Sequence, residues 1–452
     1  MGRIVCKFGG SSVANAAQLR KVRSIVEGDP RRSVVVPSAP GRQVAGEPKV
    51  TDLLYLCHEM ASMKTNFKEP FDQIRQRFIA IERDLELSTT IHTHLDALET
   101  ALRQGCSEDF AASRGEHFNG LLLAAYLDAE FVDPLECVFV KASGAIDPKT
   151  YDALERRLAD PKKRYVMPGF YGNDGEGNVR TFSRGGSDIS GAIAARAIHA
   201  DVYENWTDVS GLLMADPRVV KNPHPMIEAT YREIRELSYM GASVFHDEAM
   251  LPVQEVGIPI AIKNTNAPED PGTRIVANLS PEIEKNTEIA AIAGRHGFSM
   301  VCVEKTLMNK EVGFGYRLLG IFNRHGVSFE HCPTSIDGMN VIVNKADLGD
   351  KADLILDEIR RTLEPDKVML EADLALIAVV GEGMAKTVGI AAKVFDALRD
   401  AGANVRVINQ GASELNIIIG VAPGDYERAV RAVYDSFLPR GDQSSRPPPV
   451  AS

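Results

Sequence analysis

A lysine set just before paired glycines is the first group in this sequence that could do chemistry. In Cys6-Lys7-Phe8-Gly9-Gly10-Ser11-Ser12 an apolar run ends on two residues without side chains. Such a loop lets backbone N–H groups approach an anion closely, and a helix starting after it adds the positive end of its dipole. Lys7 stands where a charged head can lean over the end of a strand. Gly-Gly-Ser-Ser is also an ordinary tight turn when it stands alone. A second element of the same build follows at Phe182-Ser183-Arg184-Gly185-Gly186-Ser187-Asp188. Two glycine nests, each with a basic residue, suit small anions better than either does singly. Arg184 can clamp a carboxylate and Asp188 can accept from an ammonium, so the pair suits an α-amino acid. The structural alternatives are a helix cap for Asp188 and a solvated surface charge for Arg184. A third element, Asn205-Trp206-Thr207-Asp208-Val209-Ser210-Gly211, continues to Ala215-Asp216-Pro217-Arg218. It puts Thr207 and Asp208 at a strand's C-terminal end, where α/β sheets bind ligands, although the same residues also build plain turns.

The common nucleotide loops are missing. No GxxxxGK[ST] occurs, and neither Gly313-Phe314-Gly315 nor Gly381-Glu382-Gly383 extends to GxGxxG. A phosphate site would therefore have to be made by the two Gly-Gly loops. Cysteines at 6, 57, 106, 137, 302 and 332 form no CxxC and no zinc-like pairing with histidine. No resident metal site is expected, and a reduced cytoplasmic setting is.

These residues need a scaffold that brings strand ends together. Over the first 280 residues or so, strand and helix patterns alternate. Strands are expected at 4–8, 33–36, 164–169, 180–183, 202–208 and 259–264. Helices are expected at 14–26, 51–63, 71–87, 91–102 and 187–199. Alternation of this kind predicts an α/β sandwich around a mainly parallel sheet. The last third differs. A repeat with a period of 76 residues aligns Arg324 with Asp400 and Asn340 with Asn416. Each copy reads as strand, helix, strand, turn, strand, helix, which predicts two ferredoxin-like α+β units. The polar, proline-rich tail at 441–452 reads as disordered.

Composition narrows the partners. The 452 residues are 44% hydrophobic, enough for large cores and against wholesale disorder. A net charge of -11 opposes nucleic-acid binding. No stretch is long and apolar enough to span a membrane, and the N-terminus lacks a secretory apolar core.

Taken together, the motifs resemble the aspartate kinase family. Lys7 to Ala14, Ser183 to Asp188, Thr207-Asp208-Val209 with Asp216-Pro217-Arg218-Val219-Val220, and Gly241-Ala242-Ser243-Val244-Phe245-His246 occur in that family's order. The repeat resembles its tandem ACT regulatory domains, and the likeness covers residues 1 to about 440. The resemblance implies an amino-acid-kinase fold at 1–285, a three-layer sandwich. ACT units are implied at 290–367 and 368–440, with strands open to sharing between them. The implied reaction converts L-aspartate and ATP, with Mg²⁺, into 4-phospho-L-aspartate and ADP. Lys7, Arg184, Asp188 and Lys263 are the catalytic residues carried over. Glu116 and Asp188 are expected to hold the substrate ammonium and Arg184 its α-carboxylate, with Ser38 and Thr51 lining the aspartate and phosphate region. Gly9, Gly10, Ser11, Thr207, Asp208, Leu213, Asp216 and Arg218, together with Lys7 and Lys263, are expected at ATP. Leu213 stands where the family often carries a tyrosine.

The same likeness implies a homo-oligomer, a dimer or dimer of dimers, joined through the ACT units. It also implies an amino-acid effector, lysine rather than threonine, near Met308, Phe314, Ser328, Phe329, Glu330, Ser335 and Asp337. The alternatives are a glutamate-type amino-acid kinase and an amino-acid sensor without activity.

Overall fold

The computed structural model describes residues 2–44, 46–182, 185–242 and 247–438. Arg184 and the tail at 441–452 lie outside the described residues. The chain forms two units. One runs to Leu212 and takes in Pro225–Ile234 and the residues up to Leu279; the other takes Leu213–His224, Arg235–Ala242 and the chain from Ser280.

Among the described residues, ten strands belong to the first unit. They are β1 (Ile4–Phe8), β2 (Arg32–Pro37), β3 (Glu130–Phe131), β4 (Tyr165–Val166), β5 (Tyr171–Asn173) and β6 (Val179–Thr181), then β7 (Val202–Thr207), β8 (Glu228–Thr230), β9 (Ile260–Asn264) and β10 (Thr273–Val276). β5 and β6 form a hairpin, and the other eight make one sheet in the order β3-β4-β2-β1-β7-β9-β10-β8. Every pair in that sheet is parallel except β9 with β10.

All five residues of β1 are buried, as a central strand covered on both faces requires. Ile4, Cys6 and Phe8 enter a core shared with the helices Ala16–Gly28, Val50–Ser62, Lys68–Asp84, Ile91–Gln104 and Glu108–Tyr126. Lys7, of opposite parity, faces the helix Gly186–Ala197. Helices therefore cover both faces, giving the expected three layers. Gly191 lets the Gly186–Ala197 helix lie directly on β7: a Cβ there would sit 2.6 Å from the Tyr203 ring. The Tyr203 hydroxyl also donates to the Asp188 carbonyl at 3.0 Å.

The helix Glu108–Tyr126 is an element that apolar periodicity does not announce. Every residue from 111 to 120 is buried, so no polar stripe marks a period of 3.6.

The second unit carries β11 (Ala291–Glu304), β12 (Phe329–His331), β13 (Gly338–Asn344), β14 (Lys367–Val380), β15 (Val405–Asn409) and β16 (Asn416–Val421). They form one antiparallel sheet in the order β12-β13-β11-β14-β16-β15. Both copies of the repeat are present but interleaved. The first uses 298–304, β12 and β13, and takes its fourth strand from 367–371, the start of β14. The second uses 374–380, β15 and β16, and takes its fourth strand from 291–295, the start of β11. Its closing strand therefore precedes the whole repeat in sequence. Each half keeps its own core, one around Phe314, Leu318 and Ile359, the other around Ile377, Val394 and Val430. Ala215 and Val220 are buried with the second core, and Ile292 N–H donates to the Met214 carbonyl at 2.7 Å. Residues 213–224 consequently go with the second unit although they precede position 285.

Candidate active site

Because β1, β2, β7 and β9 are parallel, the turns after all four leave one edge of the sheet, where such folds bind ligands. Gly9 follows β1, Ser38 follows β2, Asp208 follows β7, and Lys263 is the penultimate residue of β9. Backbone bonds knit this edge. Gly9 N–H donates to the Trp206 carbonyl at 2.9 Å, Ser38 N–H to Phe8 at 3.0 Å, and Thr265 N–H to Thr207 at 2.8 Å. The Gly9 donor is thus taken up by the sheet, a correction to its expected part in the anion nest. Gly10 and Gly41 pack backbone to backbone. Gly41 N–H donates to the Gly10 carbonyl at 2.8 Å; a Cβ on Gly41 would lie 2.5 Å from the Gly10 carbonyl carbon, and one on Gly10 would lie 3.1 Å from the Ala39 carbonyl oxygen. Ser11 belongs to the short turn Gly10–Val13 that follows.

Lys7 is only 8% exposed. Its Nζ lies 2.5 Å from Asp188 Oδ1 and 3.4 Å from Asn205 Oδ1. Asn205 Nδ2 in turn donates to Asp188 Oδ1 at 2.9 Å. A buried ammonium needs such a partner, since an unpaired charge there is very costly. Asp188 does not cap its helix: Gly185, at φ 76°, is the cap residue, and Asp188 Oδ1 is engaged by Lys7 and Asn205. Sequence reasoning missed Asn205. Its signal is a polar residue within the buried strand VYENWT, in register with Lys7.

Glu116 offers the opposite situation. It is 5% exposed, and its Oε2 has no hydrogen-bond partner among the described residues. Burial pushes its carboxyl up to about 8, against the lowering influence of the Ala39 amide and the Arg114 charge. Thr51 lies in the first turn of the Val50–Ser62 helix. That helix packs on Glu116's own helix: a Cβ on Gly115 would meet Ala39 at 2.9 Å, Leu54 at 3.3 Å and Val50 at 3.5 Å. Ser38, Thr51 and Glu116 are thereby gathered beside the end of β2.

Thr207 donates through its hydroxyl to Asp208 Oδ1 at 3.2 Å, and Asp208 is exposed. Lys263 leaves the face opposite Lys7, with its Nζ 5.5 Å from the centre of the Trp206 ring. That ring is fixed by Phe8, stacked at 5.9 Å, and by Nε1–H donating to Glu204 Oε2 at 2.9 Å. Arg32 Nε also reaches Glu204 Oε2, at 2.8 Å. Leu213, Asp216 and Arg218 belong to the second unit, where Arg218 Nη2 is paired with Asp216 Oδ2 at 2.6 Å.

The expected effector residues fall into two groups, Met308 beside the turn at 335–337 and Ser328 with Phe329 on a cleft. Met308 and Phe314 are 6% and 4% exposed and belong to the core of the first repeat copy. Asp337 Oδ1 accepts from Leu307 N–H at 2.8 Å, bracing a residue at φ 63°. Ser335 N–H closes a turn onto the Gly338 carbonyl at 2.8 Å. Glu330 accepts from the Tyr239 hydroxyl and lies 3.5 Å from Arg295 Nη2. Burial, with Asp347 nearby, raises its carboxyl. Ser328 and Phe329 line a cleft of about 650 Å³ with Tyr316, Leu319 and Arg324.

Comparison with known proteins decides what this edge belongs to. Residues 2–264 match the amino acid kinase family, and residues 377–437 match an ACT domain. Aspartokinase 3 of Bacillus subtilis (strain 168) is 41% identical over 450 residues, 96% of this chain and 98% of that one. The chain belongs to the aspartokinase family. The crystal structure of Clostridium acetobutylicum aspartate kinase matches with a TM-score of 0.89 at 44% identity, covering 97% of this chain and all of that one. Escherichia coli aspartokinase III, solved with aspartate and ADP, matches with a TM-score of 0.73 at 27% identity, covering 96% and 99%. The same protein with lysine and aspartate gives 0.74 at 26%, covering 97% of this chain and all of that one. The enzyme is therefore an aspartate kinase with an ACT regulatory region, and ATP phosphorylates the side-chain carboxylate of L-aspartate. The glutamate-kinase and inactive-sensor alternatives fall with these matches.

Proposed function

We propose that Lys7 is the cation that supports the γ-phosphoryl group in flight and that Glu116 receives the substrate ammonium. The observation that carries this reading is the contrast between the two groups: a buried lysine already clamped by Asp188 and Asn205, and a buried carboxylate with an oxygen still unpartnered. The nucleophile is a carboxylate with an ordinary pKa of about 3.9, ionised at neutral pH, so no general base is needed. What the reaction needs is an anion brought to a triphosphate and charge support placed in advance. Asp188 then acts by holding Lys7, not by meeting the ammonium. Arg184 is kept as the clamp on the α-carboxylate, by resemblance alone. Ser38 and Thr51 line the aspartate side, and Gly10 and Ser11 lie at the phosphates. Thr207, Asp208 and Lys263 form the nucleotide edge. Leu213, Asp216 and Arg218 stay assigned to ATP by resemblance alone; the Arg218 guanidinium is paired with Asp216.

Magnesium enters with ATP. Such an ion is held mainly by phosphates and water. Bound there, it would neutralise phosphate charge.

Lysine is the proposed effector, supported by the lysine complex of the E. coli relative. The ferredoxin-like half at 298–371 is read as a second ACT unit, and the units as the contact of a homo-oligomer. No helix of the described residues is long and apolar enough to cross a membrane. The six cysteines are unpaired, which supports a reducing cytoplasm.

Trapping of the acyl phosphate as its hydroxamate tests the central role. Lys7→Ala is expected to fold and to lose about 10²–10³-fold in turnover. Near-normal turnover would remove Lys7 from the chemistry. Lysine titrated into the wild-type assay is expected to inhibit, and threonine to inhibit less; the reverse order would overturn the effector assignment.

A further inference from the structure

Two buried side-chain oxygens without partners among the described residues lie one turn apart on the Glu108–Tyr126 helix. Glu116 Oε2 is one and Asn119 Oδ1 is the other, and Asn119 is 0% exposed. A spacing of three puts both on one helix face with Cβ atoms about 5–6 Å apart. The orientation of the Asn119 amide is determined. Its Nδ2 donates to the Ser38 carbonyl at 2.7 Å, and the flipped amide would set two acceptors against each other. Oδ1 is therefore turned away from Ser38, at the point where β2 delivers the chain to the active edge.

One carboxyl oxygen, an acceptor once Glu116 gives up its proton, and one buried amide oxygen suit a compact group that has several donors and no acceptor. A primary ammonium is such a group, with three N–H donors. We propose that Asn119 Oδ1 is a second acceptor for the α-ammonium of aspartate, beside Glu116. This rests on the proposed role of Glu116 and adds a substrate-binding residue to it. Asn119 then does two jobs: its amide nitrogen anchors the Ser38 turn, and its oxygen selects an amino acid over the corresponding dicarboxylate.

The test compares aspartate with succinate, which is aspartate without its ammonium group, on the full-length enzyme. Aspartate and ATP KM values and the succinate inhibition constant are measured for wild type, Asn119→Ala and Asn119→Ser, with thermal melting as the check on folding. If the alanine variant does not fold, the serine variant carries the same comparison. The expected result is a rise in aspartate KM about tenfold or more greater than any rise in the succinate constant, which shares the loss of the Ser38 anchor, with the ATP KM within twofold of wild type. Equal weakening of aspartate and succinate would mean that Asn119 only holds the Ser38 turn, or that a water fills the seat, and would overturn the proposal. No weakening would overturn it too. Glu116→Gln, run in parallel, separates the two claims. If it weakens aspartate alone while the Asn119 variants do not, the Glu116 reading stands and this one fails. If Glu116→Gln treats both ligands alike, the seat itself is wrong.

Discussion

Lys7 and Glu116 are buried ionisable groups of opposite kind, and their surroundings make their behaviour predictable. Lys7 has Asp188 at 2.5 Å, so it is held in place before substrate arrives. The Glu116 carboxyl is raised from the usual 4.5 to about 8 by burial. Between those values the folded chain holds a proton that the unfolded chain has released, so stability falls as pH rises through this window. His117 on the same helix works the other way. Burial, then the charge of Arg114, lowers it from 6.5 to about 3, so its contribution grows as pH rises and is complete above about 6.5. The two oppose each other at lower pH, and the clean window is pH 6.5 to 8. Urea unfolding without ligand is expected to show stability falling there, at a slope of up to about 1.4 kcal/mol per pH unit for one proton. Glu116→Gln is expected to flatten the slope, and an unchanged slope would show that Glu116 is not its source. Aspartate binding below pH 8 should also release a proton, because an ammonium requires the ionised carboxylate. Calorimetry in buffers of different ionisation enthalpy measures that release directly. At this scale Lys7 was legible because Lys-Phe-Gly-Gly is a local pattern. Asn205 and Asn119 were not, because strand register and a tertiary turn supply their partners.

The helix Gly186–Ala197 is the element on which the Lys7 clamp depends. It rests on β7 through Gly191, where a Cβ would meet the Tyr203 ring at 2.6 Å. Tyr203 is fully buried and has little room to move. Gly191→Val is therefore expected to push the helix away from the sheet, cost about 1–3 kcal/mol in urea unfolding, and lower turnover by separating Asp188 from Lys7. Unchanged stability and turnover in that variant would mean the close seat does not position the clamp. Sequence patterning found this helix and the central strands within a few residues, because β1, β2 and β7 are short apolar runs ended by turn residues. It did not find Glu108–Tyr126, the helix that carries Glu116 and Asn119. A helix buried on every side has no polar face, and its run of small, charged and aromatic residues gives no period to read.

Across the whole molecule, the interleaving of β11 and β14 is what the repeat alone could not reveal. Periodicity showed two copies, yet the fourth strand of the second copy precedes the first copy in sequence, at 291–295. Because each half borrows a strand from the other's long strand, the halves are expected to open together. Hydrogen exchange of the intact enzyme in rising urea should show 298–304 and 374–380 losing protection in one transition. Two separate transitions would mean that the shared strands do not couple them. The departure of 213–224 from the catalytic unit has the same origin: Ala215 and Val220 are small apolar residues whose destination only the tertiary core discloses.

The account rests most heavily on where Lys7 and Glu116 stand when both substrates are bound. A crystal structure with aspartate and a non-hydrolysable ATP analogue tests this most directly. The expected result has Lys7 Nζ within hydrogen-bond distance of the γ-phosphate and Glu116 Oε2 on the substrate ammonium. A γ-phosphate bound away from the end of β1, with Glu116 still unpartnered, would contradict it.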